Sequence, residues 1–465
     1  MIPYFSKVAF VSIPVRDFSV GTRGNRKRLS VEARTMMTGK WSVTWMLGFA
    51  VMLVGAVRAD EISDLRKEQE KLYNQFVEMN NRLMQLESAQ REQGQKITKI
   101  EETDGFALPE KLAWLEQLKI YGDFRYRYEC RDREWKSDPK DDRHRIRARV
   151  GIQFRINEEM LFDFRIASGE FLENDDGDLI GSGDYVSGNV TLGEYWASKN
   201  AWIDRAYLAW TPKWADGVTL LFGKTYNPFY LAGKSDLIWD HDLNPEGIGI
   251  QYVTAWDKAD ELFLNAFAGT VQENGSHADK RMLGAQAGLV HTFDDSSRGT
   301  FGISYFDYTH VKGEEAILDD AFAGNSNNGT VYLYDYNLFE IFGEYAWKVG
   351  DMPVGLFGDY VVNTASGVSE DTGWLVGFGL NKLRKPGDWS FAYNYRDLEA
   401  DAVFGAFTDS DFADGGTNAR GHKFSLNYAL AENTAFGVTY FCDEKLSEEP
   451  KEDYERIQLD LSVKF

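Results

Sequence analysis

The sequence predicts an all-β transmembrane barrel of about sixteen antiparallel strands, preceded by an N-terminal α-helical coiled coil. Three observations predict it. From Leu118 to Phe465, short ribbons alternate oily and polar residues, and side chains along a strand alternate faces. The connections between ribbons alternate short and long. Upstream, an apolar seven-residue repeat runs from Ile62 to Ile100, the spacing of a coiled-coil seam.

Composition fits a barrel. The chain has 465 residues, with 31 Phe, 23 Tyr, 13 Trp, 43 Gly and 10 Pro, as many short strands and glycine-bearing turns require. A mean hydropathy of −0.42 argues against a multi-helix membrane protein. A barrel escapes that argument, because half of each strand faces water inside.

The leader is not structure. Trp41 to Val57 is uncharged and mostly apolar, preceded by Lys40 and followed by Val57-Arg58-Ala59. This reads as a secretory signal peptide cleaved after Ala59. The run is short for a spanning helix, which needs roughly 20 apolar residues. Residues 1–35 are too long for an n-region, and Met36 or Met37 gives a compact start, so the upstream stretch reads as a start-site artefact. Removing residues 1–59 leaves 42 basic and 71 acidic residues, a formal charge of −29. That acidity argues against nucleic-acid partners.

Residues 60–102 read as the coiled coil. Its apolar seam is Ile62, Leu65, Leu72, Phe76, Met79, Leu83, Leu86, Ile97 and Ile100, with Gln69, Gln90 and Gln93 at the remaining core positions. Such a seam buries only against partner helices, and no second heptad stretch exists here, so the partners are other copies of the chain. The competing reading is an amphipathic helix lying on the barrel or a membrane. Residues 103–117 are a linker, in which Pro109 ends helical continuation.

Residues 118–465 carry the ribbons. The first, Leu118 to Glu129, sends Ile120, Phe124, Tyr126 and Tyr128 outward, and Tyr121, Asp123, Arg125, Arg127 and Glu129 inward. The second separates Ile146, Ala148, Val150, Ile152, Phe154 and Ile156 from Arg145, Arg147, Arg149 and Arg155. The third sets Phe162, Phe164 and Ile166 against Asp163 and Arg165. Short connections include Asn157-Glu158 and Ala431-Glu432; long ones fall near 130–143, 169–200, 226–246, 271–281, 309–336, 363–372, 397–419 and 442–453. Short turns on one side and long loops on the other mark an outer-membrane barrel. A soluble sandwich, whose edge strands also alternate, has no reason to sort its loops this way.

The last ribbon places Ile457, Leu459, Leu461, Val463 and Phe465 on one face and Gln458, Asp460, Ser462 and Lys464 on the other. Closed by Phe, it resembles the final strand of bacterial outer-membrane barrels. An even strand number returns the C-terminus to the side of the N-terminus, so the short turns and the coiled coil share the periplasm. Cys130 and Cys442 flank this ribbon. Two strand spacings of about 4.8 Å exceed the usual reach of a disulfide, so a bridge between them depends on loop excursions.

The inward arginines Arg125, Arg127, Arg145, Arg147, Arg149, Arg155 and Arg165 lie on the first three ribbons. They form one permanently positive patch, because guanidinium does not neutralise at physiological pH. The third long loop carries Asp236, Asp240, Asp242 and Glu246.

Two stretches carry a family resemblance. One is Ser235-Asp236-Leu237-Ile238-Trp239-Asp240 through Leu243-Asn244-Pro245-Glu246-Gly247. The other is Tyr395-Arg396-Asp397-Leu398 through Asp409-Ser410-Asp411-Phe412 to Gly421-His422. With Gly122-Asp123-Phe124-Arg125, they resemble the "putative porin" family of Gram-negative outer-membrane proteins. The resemblance implies passive transport of small hydrophilic solutes or ions, a bilayer with lipopolysaccharide as surroundings, and a homotrimer. It also implies a third loop folded into the lumen. The four acids would then face the arginine wall across a narrow opening, with a transverse field between them. The alternative for these pairs is scaffolding of the wall.

The acidic run Asp397, Asp401, Asp409, Asp411 and Asp414 matches no EF-hand spacing and reads as solvated acids, as does Asp175-Asp176-Gly177-Asp178. No metal or cofactor is called for. No G-x-S-x-G, H-E-x-x-H or P-loop occurs, so the chain is not read as an enzyme. The alternative function is structural: a membrane anchor spaced by the coiled coil.

Overall fold

The structure, a computed structural model, describes residues 110–133, 140–173, 179–275, 278–317, 322–446 and 452–465. The leader, the heptad positions and Asp175–Asp178 lie outside the described residues. Glu110–Gln117, the end of the expected linker, is a 3₁₀ helix.

Nineteen strands follow among the described residues. β1 (Leu118–Arg133), β2 (Lys140–Arg155) and β3 (Met160–Ser168) come first. β4 (Phe171–Glu173), β5 (Leu179–Gly183) and β6 (Val190–Thr191) are short pieces of the next connection. Then come β7 (Ala201–Trp210), β8 (Val218–Lys224), β9 (Glu246–Ala255), β10 (Asp260–Gln272), β11 (Lys280–Asp294) and β12 (Ser297–Thr309). The last are β13 (Tyr336–Val349), β14 (Met352–Asn363), β15 (Thr372–Leu380), β16 (Trp389–Leu398), β17 (Ala419–Ala431), β18 (Thr434–Lys445) and β19 (Glu452–Lys464).

Sixteen of them, β1–β3 and β7–β19, make the wall, each antiparallel to the next. β6 extends the line of β3 by pairing with β2 at Arg145↔Thr191. β1 closes the cylinder against β19, in register from Asp123↔Lys464 to Arg133↔Tyr454. At the seam, Gly122 N–H donates to the Phe465 carbonyl at 2.9 Å, and Phe465 N–H donates back at 3.0 Å. A Cβ on Gly122 would meet the Phe465 ring at 2.5 Å, so glycine leaves room for the terminal ring at the seam. Closure is what a lipid-embedded sheet needs, since no water can satisfy an open edge there.

The faces divide as the alternation requires. Ile120 is 60% exposed on the outside, whereas Arg127, an odd number of residues further along the same strand, is 4% exposed inside. The same outward row includes Val150, Ile152, Phe301, Ile303, Leu426 and Leu461. Aromatic residues gather at the short-turn end, among them Trp210, Trp214, Trp256, Phe293 and Trp389, as in the interfacial girdle of a membrane barrel. The buried core lies inside the cylinder, where three long loops meet the wall.

Candidate functional site: the lumen and its inward loops

Strand register brings the arginines together. Arg125 stands opposite Arg147, and Arg127 opposite Arg145. Like charges in directly opposed positions destabilise a sheet, so acids must intervene. Asp123 takes Arg147 at 3.2 Å and Arg149 at 2.8 Å. Arg127 forks onto Asp460 at 2.7 and 2.8 Å and reaches Asp411 at 3.1 Å. Arg145 lies 3.8 Å from Glu129 and 3.6 Å from Glu170. Arg125 donates to Asn189 Oδ1 at 2.7 Å, and Arg165 pairs with Asp204. Arg155 does not join them. It is exposed at the short-turn end of β2 and makes no ion pair among the described residues.

Residues 225–245 cross the lumen. On one side, Tyr230 N–H donates to Gln286 of β11 at 2.7 Å, and Gly233 N–H donates to Glu344 of β13 at 2.8 Å. Gly233 has φ 60°, and a Cβ there would meet the Phe357 ring at 2.1 Å. Ser235 Oγ donates to Asp359 of β14 at 2.8 Å, and Arg396 of β16 donates to the Asp236 carbonyl at 2.9 Å. On the other side, Asp242 receives Arg147 and Arg149 of β2, each at 2.8 Å.

This corrects the expected opening between acids and arginines. Asp242 touches the basic wall, since the attraction between opposite charges grows as they approach contact. Asp236 and Asp240 are buried elsewhere: Asp236 beside His241 at 3.2 Å and Lys423 at 3.6 Å, Asp240 accepting from the Ser410 backbone at 3.1 Å. Glu246 is not a loop residue at all. It starts β9, is exposed, and pairs with Lys224 at 2.8 Å. Burial alone would raise the Asp242 carboxyl, but His241, Arg147 and Arg149 outweigh it and hold it well below the usual range. The Asp236 carboxylate, helped by Asp242 and against the pull of burial, pushes the His241 imidazole up to about 10.

Asp240, His241 and Asp242 bring ligand-type atoms within 4.8 Å of one another. Both Asp242 oxygens are engaged by Arg147, and Asp240 accepts from Asp242 N–H and Ser410. The trio is a loop clasp, with its oxygens already occupied.

The acidic run is the second correction. Asp411 sits between Arg127 and Arg456, at 3.1 and 2.8 Å. Asp414 takes Arg131 at 2.9 Å and Arg133 at 3.3 Å. Asp401 accepts from the buried Tyr336 hydroxyl at 2.8 Å, and Asp409 lies 3.2 Å from Lys423. The connection 399–418 folds inward, and its acids neutralise a wall otherwise crowded with arginine. Burial opposes the ionised form of both Asp411 and Asp414. Arg456 and Arg127 for the first, and Arg131 and Arg133 for the second, lower them regardless.

Several lumen residues escaped the sequence reading. Arg131 and Arg133 continue the inward alternation of the first ribbon beyond Glu129, and Arg456 precedes the last ribbon in phase with it. That alternation was the available signal. Arg205 had none. A bulge between β3 and β7 pairs Arg165 with Arg205 and Ile166 with Ile203, leaving Asp204 as the extra residue. Consecutive Asp204 and Arg205 thus both reach Asn244 of the crossing loop, at 2.7 and 2.6 Å. An inserted residue re-aims a strand in this way.

The long-loop end of the β10–β16 side is oily. Trp239 meets Phe306 edge-on at 5.3 Å, and Tyr308, Phe404 and Leu398 pack around them. Asn325 of the connection 310–335 ties the loops together, donating to Ala400 and Val403 carbonyls at 2.7 and 2.9 Å. Space remains on both sides of this plug. A cavity of about 630 Å³ lies among Arg149, Asp184, Asp204, Lys224 and Asp242. Another of about 480 Å³ lies along β13–β17. Cys130 and Cys442 are free thiols on the outer face.

The profile of the "putative porin" family matches residues 133–341 and 359–465. Similar solved structures include OprB of Pseudomonas putida, at 12% identity and TM-score 0.49, covering 76% of this chain and 96% of that one. OmpF of Salmonella typhi is similar at 13% identity and TM-score 0.45, covering 75% and 97%. So is the outer-membrane channel DcaP of Acinetobacter baumannii, at 13% identity and TM-score 0.42, again 75% and 97%. No curated protein matches the chain. Matched by the family profile over more than half its length, and folded as a closed sixteen-stranded barrel, the chain belongs to the "putative porin" family.

Proposed function

We propose that this protein is a bacterial outer-membrane porin passing small hydrophilic solutes or ions. The observation that carries the reading is the closed cylinder with an apolar outer band and a charged inner wall crossed by the loop 225–245. The band suits lipid and the wall suits water. On this reading the arginines of β1–β3 and their acids line the path beside the crossing loop, and Asp242 narrows it. The solute moves along a field set by paired charges, so selection rests on small imbalances between them. Residues 1–59 are a leader removed on export, and residues 60–102 join three copies through a periplasmic coiled coil. Lipid and lipopolysaccharide surround the barrel.

One observation favours the structural alternative. The interlocked loops bury Trp239, Phe306, Tyr308 and Phe404 inside the mouth, as a sealed anchor would. Planar-bilayer recordings of the purified full chain separate the two. Stepwise openings in potassium chloride support the pore. A barrel that inserts and never conducts supports the anchor.

A further inference from the structure

The cavity along β13–β17 has an uneven lining. Gly355, Gly379 and Ala392 give it a wall nearly free of side chains, and a Cβ at Gly355 or Gly379 would meet nothing within 4 Å. Phe357 and Leu375 make its floor apolar. Cations sit around this bay. Lys234 and Lys382 line it, are exposed, and have no ion pair among the described residues. Arg396 lines it too, 2% exposed, with its guanidinium 3.6 Å above the Phe412 ring. Among the described residues its hydrogen bonds go to the Asp236 carbonyl and Thr408, and its Nε and Nη2 have no hydrogen-bond partner. Of the lining acids, Asp236 and Asp409 share Lys423, and Glu344 accepts from Gly233 N–H. Among the described residues Lys234 and Lys382 therefore have no carboxylate in ion-pair range, while Arg396 makes no direct ion pair and feels the carboxylates of Asp409, Asp443 and Asp236 only at longer range.

From this we infer that the bay is a binding subsite for small organic anions: a carboxylate held by Lys382 and Lys234 with the field of Arg396 behind it, and a compact apolar body on Phe357 and Leu375. A purely inorganic anion would leave the apolar floor unused, and a neutral sugar would leave the cations unpaired. Cations without a direct ion pair favour a carboxylate over a neutral analogue of the same shape. The inference rests on the porin reading for its role in transport, though not for the binding itself.

Benzoate is the probe, with benzyl alcohol as the neutral control. The full chain in detergent is titrated calorimetrically, and single channels are recorded in parallel with millimolar benzoate added from the short-turn side. Benzoate should bind and interrupt the current, and benzyl alcohol should do neither. Lys382→Gln and Lys234→Gln should each weaken benzoate about two- to fivefold, the range for exposed charge pairs. Gly379→Leu should abolish it by filling the bay, while potassium chloride conductance persists. Binding without any conductance would retain the subsite and remove the porin reading. Conductance with no benzoate binding, equal binding of benzyl alcohol, or binding unaltered in Gly379→Leu would each overturn the subsite.

Discussion

Arg147 holds Asp242 through a single nitrogen that donates to both carboxylate oxygens, at 2.8 and 3.1 Å, across 95 residues of sequence. Arg149 takes one of the same oxygens at 2.8 Å. The crossing loop is thus tied to β2 by charge at one end. At the other it is held mainly by the neutral donors Ser235, Gly233 and Tyr230, with Arg396 donating to the Asp236 carbonyl. These two kinds of anchor should respond differently to substitution and to pH.

Asp242→Ala leaves Arg147 and Arg149 with Asp123 alone. Stranding buried charge of this kind costs about 3 kcal/mol of docking. Amide hydrogen exchange over residues 237–243 should accelerate roughly 100-fold. An unchanged rate would mean that Leu237 and Trp239 hold the loop by themselves.

Replacing Arg145, Arg147 and Arg149 together by Ala leaves Asp123, Asp242 and Glu129 undercompensated. The lumen then becomes more negative, and reversal potentials across a salt gradient should move toward cation selectivity. Unaltered potentials would take this wall out of the conducting path.

His241 gains its proton from the fold, so its contribution has a definite sign. Its folded value near 10 lies above the ordinary 6.5. The stabilisation is complete below about 6.5 and is lost as pH rises through about 10. Channel noise from the crossing loop should increase over that interval in the native protein, and the increment should vanish in His241→Gln. The side chain is more than half exposed, so water screens the effect and the increment is modest.

Asp411 and Asp414 act in the opposite direction. Their folded values lie below the ordinary 3.8, so the stabilisation is present above about 4 and falls away as pH drops further. Conductance steps recorded at pH 6 and pH 3 should differ as the connection 399–418 undocks from Arg127, Arg131 and Arg456. Asp411→Asn should show the acid behaviour already at neutral pH. Identical steps in native and variant protein would argue that Asn325 and the apolar contacts suffice.

Gly122→Val places a branched side chain where the Phe465 ring and the Arg149 carbonyl lie within 2.5 Å of a Cβ. Closure of β1 on β19 should suffer. The compact, heat-modifiable band seen for a closed barrel on cold gel electrophoresis should weaken or disappear. Full retention would show that the terminal ring can swing away at little cost.

The barrel itself was legible because its signal is local. Alternation along Arg145–Ile156 or Ile457–Phe465 requires no knowledge of the rest of the chain, and the same holds for loop lengths. The lumen was legible only in part. Arg127 and Asp411 are 284 residues apart, and no periodicity links them. The acids of 397–414 looked solvated because nothing in their spacing names the wall they neutralise. Arg205 was hidden for a different reason: one extra residue at Asp204 shifts the phase, and a one-residue slip exchanges the faces of a strand.

Sequence alone therefore determined the sheet, its two faces and the side on which the long loops stand, since each follows from a two-residue period and the chemistry of lipid and water. Only the tertiary structure decided where those loops go. Their destinations depend on charges and rings gathered from opposite walls, and a cylinder makes neighbours of residues that the chain keeps hundreds of positions apart.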